Sequence, residues 1–347
     1  MEKRNIIVIG ASAGGFEAIK RLVEGLPPEL DAAIFIVWHM SPDITGILPQ
    51  VLNRQKTVMA ANAVDNEPIV FNRIYVAPPD RHLILEHNFV RVTRGPKENR
   101  FRPAVDPLFR SAAYIFGPRV IGIVLSGALD DGTAGLWTIK SRGGITIVQD
   151  PNDAEVPSMP ENALQAVEVD YRVPVAEMST LLTKLTAEMV NEVKEKNMEE
   201  NKKTSLEVSI AVQDKALEQG ILHLGELTPY ACPECHGVLS AIKDGDIIRY
   251  RCHTGHAYSA DSLLASITED IEDTLWSAIR GVEESIILLN NLGDHYAEKN
   301  QPKLAAMYFK KAGEAEGRAK LVRRAVLDHE QLTLDSISEQ VAETNGE

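Results

Sequence analysis

Residues 9–15 have the sequence Ile9-Gly10-Ala11-Ser12-Ala13-Gly14-Gly15 and continue the apolar run of residues 6–9. Two more stretches also follow apolar, partly β-branched runs, Val37-Trp38-His39-Met40 and Ser126-Gly127-Ala128-Leu129-Asp130-Asp131-Gly132. Such runs, bounded by glycine and alternating with helical segments, are typical of a parallel sheet with helices on both faces. Ligands and catalytic groups collect at the carboxyl ends of these strands. The sequence therefore predicts a doubly wound α/β fold with a serine, a histidine and an aspartate at one edge of the sheet.

The α/β pattern extends from residue 5 to about residue 190. Its predicted strands are residues 6–9, 33–38, 73–77, 120–125 and 145–148. Residues 82–93 differ, because two short apolar runs flank His87-Asn88 there. This pattern predicts a β-hairpin inserted into the mainly parallel sheet or lying beside it.

The charge of the chain limits its partners. With 50 acidic and 36 basic residues, the 347 residues carry a formal net charge of −14. This charge repels nucleic acid and anionic membranes, so neither is expected as a partner. No stretch approaches the roughly 20 apolar residues of a spanning helix, and residues 1–4 lead into a strand rather than a secretion signal. We expect a cytoplasmic protein without membrane insertion.

Composition divides the chain into five segments. They are an α/β domain (residues 1–190), a solvated linker (191–226), a cysteine-bearing segment (227–259), a helical hairpin (260–332) and a polar tail (333–347). The linker is predicted because its first part is rich in lysine and glutamate and has few side chains that form a core.

The hairpin is predicted from apolar residues at spacings of three and four. Two helices are expected, over about residues 260–292 and 302–329. Gly293 marks the stop and Pro302 the restart, which favours an antiparallel arrangement. We expect this hairpin to serve packing or interaction, including self-association of the chain.

All three cysteines lie between positions 232 and 252, which favours a local metal or redox site over a disulfide framework. Two cysteines on one turn and a cysteine and a histidine on another can converge on one zinc ion. A redox Cys-x-x-Cys pair is the alternative, but the strand-like residues 247–250 favour a zinc-ribbon-like segment. His236 is a weaker candidate for the fourth ligand, and His253 is expected to point away. The predicted zinc ligands are Cys232, Cys235, Cys252 and His256.

The serine, histidine and aspartate suit nucleophilic catalysis. Glycines around Ser12 allow a sharp turn that presents its hydroxyl at a helix N-terminus, where negative charge on a substrate oxygen would be stabilised. A hydroxyl is a poor nucleophile unless a base takes its proton, and His39 ends the neighbouring predicted strand. Asp131 can reach back to the imidazole and fix its tautomer.

The same glycine-rich turn has a second interpretation, as a nucleotide-binding turn. The pattern is close to Gly-x-Gly-x-x-Gly, but Ser12 stands where the middle glycine is needed for close approach of a pyrophosphate. The next predicted strand ends in His39 instead of a ribose-binding acid. Dinucleotide binding therefore stays a weaker alternative.

Six motifs, in order, resemble the catalytic domain of the chemotaxis protein-glutamate methylesterases (CheB) over about residues 5–185. They are Gly10-Ala11-Ser12-Ala13-Gly14-Gly15, His39-Met40, Tyr75-Val76-Ala77-Pro78, Arg100-Phe101-Arg102-Pro103-Ala104-Val105-Asp106, Ser126-Gly127-Ala128-Leu129-Asp130-Asp131-Gly132 and Pro157-Ser158-Met159-Pro160.

The resemblance implies a triad of Ser12, His39 and Asp131 and an oxyanion site at the backbone of Ala13 and Ala128. It implies hydrolysis of glutamate γ-methyl esters on a chemoreceptor with release of methanol, a related deamidation of glutamine, and no cofactor for catalysis. The methylated chemoreceptor is the partner that follows from it.

The chain departs from the family pattern in two ways. Family members usually carry an N-terminal receiver domain, whereas this sequence begins at the catalytic strand. Their loops also tend to have Met-Gly where Ala128-Leu129 stand.

A non-catalytic signalling adaptor that works through its C-terminal region is the alternative function.

Overall fold

The computed structural model describes residues 2–39, 47–55, 57–190, 198–213, 220–221, 224–333, 336–337 and 340–341. The chain divides into two compact units, Met1–Leu263 and Leu264–Glu347.

The strands of the described residues are numbered along the chain. They are β1 (Glu2–Lys3), β2 (Ile6–Ala11), β3 (Ala33–Trp38), β4 (Met59–Asn62), β5 (Arg73–Val76), β6 (His82–Leu85), β7 (Val90–Thr93), β8 (Val120–Val124), β9 (Ile145–Gln149), β10 (Tyr171–Val173), β11 (Met189–Val190), β12 (Glu226–Ala231), β13 (Val238–Asp244), β14 (Ile247–Cys252) and β15 (Ala257–Ser259). The helices are α1 (Gly15–Glu24), α2 (Ile47–Asn53), α3 (Val105–Phe116), α4 (Thr133–Ser141), α5 (Ser158–Ala166), α6 (Val175–Thr186), α7 (Met198–Gln213), α8 (Ala260–Glu298) and α9 (Pro302–Leu327).

A parallel sheet of seven strands forms the centre of the first unit, in the order β10-β9-β8-β2-β3-β5-β4. All residues of β2 and β8 are buried. Burial on both faces explains their continuous apolar sequence, since a strand with one wet face would alternate polar and apolar residues. The predicted parallel α/β sheet is confirmed.

Helices cover both faces of this sheet, and each face has its own core. On one face, α1, α2 and α6 pack on Ile7 and Ile9 of β2. On the other, α3, α4 and α5 pack on Ile6 and Val8 of the same strand. Successive side chains of a strand point to opposite faces, so one apolar strand supplies both cores.

The hairpin predicted within residues 82–93 is present as β6 and β7, which pair antiparallel in a separate two-stranded sheet. Leu83, Leu85 and Val90 belong to the same core as α3. The hairpin therefore lies beside the parallel sheet.

The solvated linker predicted for residues 191–226 is corrected by the structure, since α7 lies within it. Residues 191–197 and 214–219 are outside the described residues. In α7, Ile210 and Ala211 are buried, and the Ala211 carbonyl accepts a hydrogen bond from Thr93 Oγ1 at 2.7 Å. The charge-rich composition was misleading because Glu207 is buried against arginines of β14.

The cysteine-bearing segment forms a four-stranded antiparallel sheet, in the order β12-β13-β14-β15. We call it the ribbon sheet. It belongs to the first unit. Its strand β15 bridges to Glu98 through Ala257. The ribbon sheet thus packs directly on the segment that precedes α3.

The second unit contains most of α8, which begins at Ala260, and all of α9. These helices form an antiparallel hairpin, in which Tyr296 stacks on Tyr308 with ring centroids 5.4 Å apart. The predicted stop at Gly293 is wrong, because α8 continues to Glu298. A Cβ at Gly293 would lie 2.6 Å from Phe309 Cε1, so this glycine allows the helices to approach closely.

In the part of the chain that the structure describes, every helix is too short or too polar to cross a membrane. The predicted tail over residues 333–347 lies mostly outside the described residues.

Candidate active site

Ser12 and His39 lie side by side because of strand register. Strands β2 and β3 are parallel neighbours, and Ala11 is paired with Trp38 at their ends. Ser12 directly follows Ala11, and His39 directly follows Trp38. The His39 N–H donates to the Ala11 carbonyl at 3.0 Å. On the other side of β2, the Ser12 N–H donates to the Ser126 carbonyl at 3.0 Å. The three predicted loops therefore meet at one edge of the sheet.

Hydrogen bonds hold the Ser12 turn in place. Trp38 Nε1 donates to the Ser12 carbonyl at 3.0 Å, and Ser126 Oγ donates to the Ala13 carbonyl at 2.8 Å. Gly14 has a φ of +71°, which favours glycine, and a Cβ there would lie 2.6 Å from Ser126 Oγ. A Cβ at Gly127 would lie 2.8 Å from Ser12 Cβ. Glycine is needed where these loops approach each other.

His39 is buried and bonded to Asp131. Its Nε2 lies 2.8 Å from Asp131 Oδ2. Within the described part of the chain, His39 Nδ1 is buried without a hydrogen-bond partner. The Phe101 ring stacks on the imidazole, with centroids 3.9 Å apart and an angle of 11° between the planes. One nitrogen is thus held by a carboxylate, and the other remains available to accept a proton.

Asp131 accepts three further hydrogen bonds. The donors are the Val105 N–H at 2.7 Å, the Asp106 N–H at 3.2 Å and Asn99 Nδ2 at 2.9 Å. Burial by itself would raise the pKa of Asp131, but the hydrogen bonds and the nearby His39 outweigh it, so that this pKa lies below its usual value. Asp131 is therefore a carboxylate at neutral pH.

Val105 reaches Asp131 because two glycines make room for it. A Cβ at Gly10 would lie 2.3 Å from Val105 Cγ1, and one at Gly132 would lie 2.8 Å from the same atom. Val105 is the first residue of α3, so its N–H is one of the unpaired donors of that helix terminus. The carboxylate takes the place of a helix cap.

Two neighbouring carboxyl groups have raised pKa values. Burial and the charge of Asp131 raise the pKa of Asp106 to about 7. Burial and surrounding carboxylates raise the pKa of Asp130 to about 8, despite the hydrogen bond that Ser259 Oγ donates to it at 2.6 Å. Three acidic residues thus lie close together, and the raised pKa values of Asp106 and Asp130 reduce the negative charge beside Asp131.

The backbone near Ser12 offers two unpaired donors. Among the described residues, the N–H groups of Ala13 and Ala128 have no hydrogen-bond partner. Leu129 has a φ of +62°, a conformation that favours glycine, and its carbonyl accepts from Asn162 Nδ2 at 3.1 Å. This strained residue holds the loop that presents Ala128.

Four predicted metal ligands converge in the ribbon sheet. Cys235 Sγ lies 3.6 Å from Cys252 Sγ, and His256 Nδ1 lies 3.6 Å from Cys252 Sγ and 3.7 Å from Cys232 Sγ. All four ligand atoms are within 4.8 Å of one another. A disulfide would need sulfurs about 2.05 Å apart, so these cysteines are not disulfide-bonded, and their spacing is one that could hold a metal ion.

Sequence reasoning missed three residues of the site. Trp38 holds the Ser12 carbonyl, Phe101 stacks on His39, and Asn99 binds Asp131. Trp38 precedes His39 and Phe101 lies within the motif of residues 100–106, so their positions in the sequence offered a signal. Asn99 follows no strand and belongs to no periodic pattern, so the sequence held no signal for it.

A doubly wound sheet with serine, histidine and aspartate after three adjacent strands defines an α/β protein with a triad-like site at its carboxyl edge. The sequence pattern of one family, described as CheB methylesterase, matches residues 7–182. The chain belongs to this family.

Relatives agree with this assignment. A protein from Leptospira interrogans is 36% identical over 180 residues, which are 52% of this chain and 93% of that protein. Protein-glutamate methylesterase/protein-glutamine glutaminase 2 of Anaeromyxobacter dehalogenans is 37% identical over 181 residues, 52% of this chain and 53% of that protein. The crystal structure of the Thermotoga maritima CheB methylesterase catalytic domain is similar, with a TM-score of 0.52 and 32% identity, covering 53% of this chain and 99% of that domain.

Proposed function

We propose that this protein is a protein-glutamate methylesterase that hydrolyses γ-methyl esters on a methylated chemoreceptor. Ser12 is the nucleophile, His39 the general base and acid, and Asp131 the orienting carboxylate. The observation that carries the proposal is the buried His39–Asp131 pair, whose second imidazole nitrogen is unpaired among the described residues, beside the serine turn. Family membership supports the same reaction.

In the proposed mechanism, His39 Nδ1 takes the Ser12 proton while the serine oxygen attacks the ester carbonyl. Asp131 stabilises the imidazolium that forms. The N–H groups of Ala13 and Ala128 hold the oxyanion, supported by the N-terminal end of α1, which begins at Gly15.

The intermediate then collapses. The imidazolium gives its proton to the leaving methoxide, so that methanol departs and an acyl-enzyme remains. Water attacks the acyl group while His39 accepts the proton of the water. The imidazolium then returns this proton to the Ser12 oxygen as the acyl bond breaks, which releases glutamate and restores the serine hydroxyl and neutral His39. Glutamine would follow the same steps with ammonia as the leaving group, which accounts for a second, glutaminase activity.

The test is methanol release from a methylated receptor. Ser12→Ala should lower turnover by about 10⁶-fold, since the alanine has no oxygen to form the acyl-enzyme. Ser141→Ala is the matched control, because Ser141 Oγ donates to the Thr138 carbonyl of its own helix. An active-serine reagent should label wild type and the control but not Ser12→Ala. Ester hydrolysis that survives in Ser12→Ala at unchanged stability would exclude this serine, and an unlabelled, inactive wild type would favour the adaptor.

A further inference from the structure

We propose that Cys232, Cys235, Cys252 and His256 hold one zinc ion, and that this ion fixes β15 so that Asn99 positions Asp131. The metal site stands by itself. The second part rests on the proposed function of the triad, because it assigns Asn99 the task of a positioning residue for that carboxylate.

The donor set fits zinc in kind and in spacing. Thiolate and imidazole are the ligands of structural zinc, and ideal tetrahedral geometry separates two sulfurs by about 3.8 Å and a sulfur from a nitrogen by about 3.5 Å. The separations here are 3.6 Å between Cys235 and Cys252 sulfurs, and 3.6 and 3.7 Å from His256 Nδ1 to the sulfurs of Cys252 and Cys232. Four protein ligands would close the site, which indicates a structural ion rather than a catalytic one.

Two tight loops present the ligands. In the first, the Cys232 N–H donates to the Gly237 carbonyl at 2.8 Å. In the second, the Cys252 N–H donates to the His256 carbonyl at 3.0 Å, and Gly255 has a φ of +106°. A four-stranded sheet of this size has a small core, so an ion that joins the two loops contributes directly to its folding.

The second loop leads straight to the active site. His256 is followed by β15, and Ala257 pairs with the segment before α3. The Ala257 N–H donates to the Lys97 carbonyl at 3.2 Å, and its carbonyl accepts from the Asn99 N–H at 2.8 Å. Ala257, the residue directly after the proposed ligand His256, therefore holds the backbone of Asn99.

The Asn99 side chain joins β15 to the triad. Its Oδ1 accepts from the Ser259 N–H at 2.9 Å and from Ser262 Oγ at 3.2 Å. Its Nδ2 donates to Asp131 at 2.9 Å and to Asp106 at 3.0 Å. Because Oδ1 faces two donors and Nδ2 faces two acceptors, the orientation of the Asn99 amide is fixed, with an N–H that points at Asp131. If β15 moved away, the amide would lose the contacts that set this orientation.

A second link runs through buried charges. Arg251, which precedes the ligand Cys252, is 1% exposed and binds Glu98 at 2.9 Å. Glu98 is the neighbour of Asn99 in sequence and is also bound by Arg110. The segment 97–99 is thus held by the backbone of β15 and by the side chain of β14.

The test uses the full chain and begins with metal content. Elemental analysis should find one zinc per chain in wild type and in His253→Ala, whose histidine is exposed and outside the ligand set. Cys235→Ser, at a partly exposed ligand, should lose the metal, and circular dichroism shows whether it remains folded. Cobalt added to metal-free wild type should give the absorption of a tetrahedral thiolate site. Absence of zinc and of the cobalt spectrum would overturn the metal site.

Asn99→Ala and Cys235→Ser test the coupling. Each should lower the rate of Ser12 labelling and the kcat for ester hydrolysis by about tenfold with KM little changed, because one hydrogen bond to a charged group is lost. Since both act through the same contact, the double variant should also be about tenfold slower. Multiplication to about a hundredfold would overturn the coupling, as would zinc removal that lowers the melting temperature and leaves both rates intact.

A readout independent of activity separates this proposal from the proposed function. The proton between His39 and Asp131 should give a low-field NMR signal, which zinc removal or Asn99→Ala should shift or broaden. If the zinc-loaded protein proves inactive but the signal responds to zinc, the coupling stands and the esterase assignment fails. A signal that ignores zinc overturns the coupling.

Discussion

Replacing Asp131 with asparagine removes one charge and reverses one set of hydrogen bonds. Asp131 Oδ2 faces His39 Nε2 at 2.8 Å and the Val105 N–H at 2.7 Å. Its Oδ1 faces Asn99 Nδ2 at 2.9 Å and the Asp106 N–H at 3.2 Å. An asparagine amide has one acceptor oxygen, so its NH₂ group must face one of these two pairs of donors.

The contacts of Asn99 decide which pair. Its amide cannot reverse without losing the bonds from Ser259 and Ser262, so the new NH₂ group should face His39 and Val105. His39 can then accept at Nε2 only with its proton on Nδ1, the nitrogen that must accept from Ser12. Because the wrong tautomer dominates, turnover should fall by about 10⁴-fold, as for the orienting aspartate of other triads. The buried Val105 N–H loses its acceptor, which should lower the free energy of unfolding by about 1 to 3 kcal/mol.

Methanol release, Ser12 labelling and urea unfolding measure these effects. Asp130→Asn is the matched control, since Asp130 bonds Ser259 rather than His39. With a pKa near 8, Asp130 is largely neutral at pH 7, so an amide replaces it without loss of charge. We expect this variant to stay within threefold of wild type. An Asp131→Asn variant within tenfold of wild type, or an equal loss in Asp130→Asn, would refute the assignment.

Three further predictions follow from packing, charge and backbone conformation. Gly127→Ala should destabilise the protein by about 1 to 3 kcal/mol and reduce Ser12 labelling, because its Cβ would lie 2.0 Å from Met159 Sδ. The loss caused by Gly127→Ala should be smaller in a Met159→Ala background than in wild type, and an equal loss in both would contradict the clash. Burial opposes ionisation of Glu98, but two buried arginines lower its pKa from 4.5 to about 2. The ionised Glu98 therefore adds to the free energy of unfolding above pH 4.5, and this stabilisation is lost as the pH falls towards 2. Urea unfolding should show that the free energy of unfolding of wild type falls by up to about 3 kcal/mol over that pH range, and that of Glu98→Gln by less. An equal pH dependence in the two proteins would contradict this role of Glu98. Leu129→Gly should keep its unfolding free energy within about 1 kcal/mol of wild type, whereas Leu129→Val should lower it further, since φ is +62° there; thermal melts that rank the two the other way would show that the backbone is not strained.

Continuous apolar sequence made the strands of the central sheet predictable. The predicted β3 has the observed bounds Ala33–Trp38, and four others are within two residues. The missed strands β4 and β10 form the two edges of the sheet. They are short, and Met59 and Arg172 are exposed, so their sequences lack the apolar run on which the other predictions depended.

Local sequence could not reveal contacts between distant charges. Helix α7 was predicted as a linker because its glutamates and lysines suggest solvent exposure. Glu207, however, is buried, and its carboxylate binds Arg249 at 2.7 and 2.9 Å. The same limit applies to Asn99, whose partners Asp131 and Ser259 are 32 and 160 positions away.

The site was predictable where it depends on strand ends. Ser12, His39 and Asp131 each follow an apolar run, and parallel register alone brings such residues to one edge. The hydrogen bond between His39 and Asp131 agrees with that expectation, while the roles of the three residues remain predictions. Phe101 lies on an irregular segment, where only the tertiary structure shows its stacking on His39.

The buried charges also define where the α/β domain can be separated from the rest of the chain. Glu98 shares Arg251 with Glu207, so a carboxylate before α3, a helix after the central sheet and a strand of the ribbon sheet neutralise one another. A fragment cut after Val190 would keep the pair of Glu98 and Arg110 but lose Arg251, the second arginine that binds Glu98. A chimera that exchanges the α/β domain with that of a relative would therefore have to transfer Glu98, Glu207 and Arg251 together.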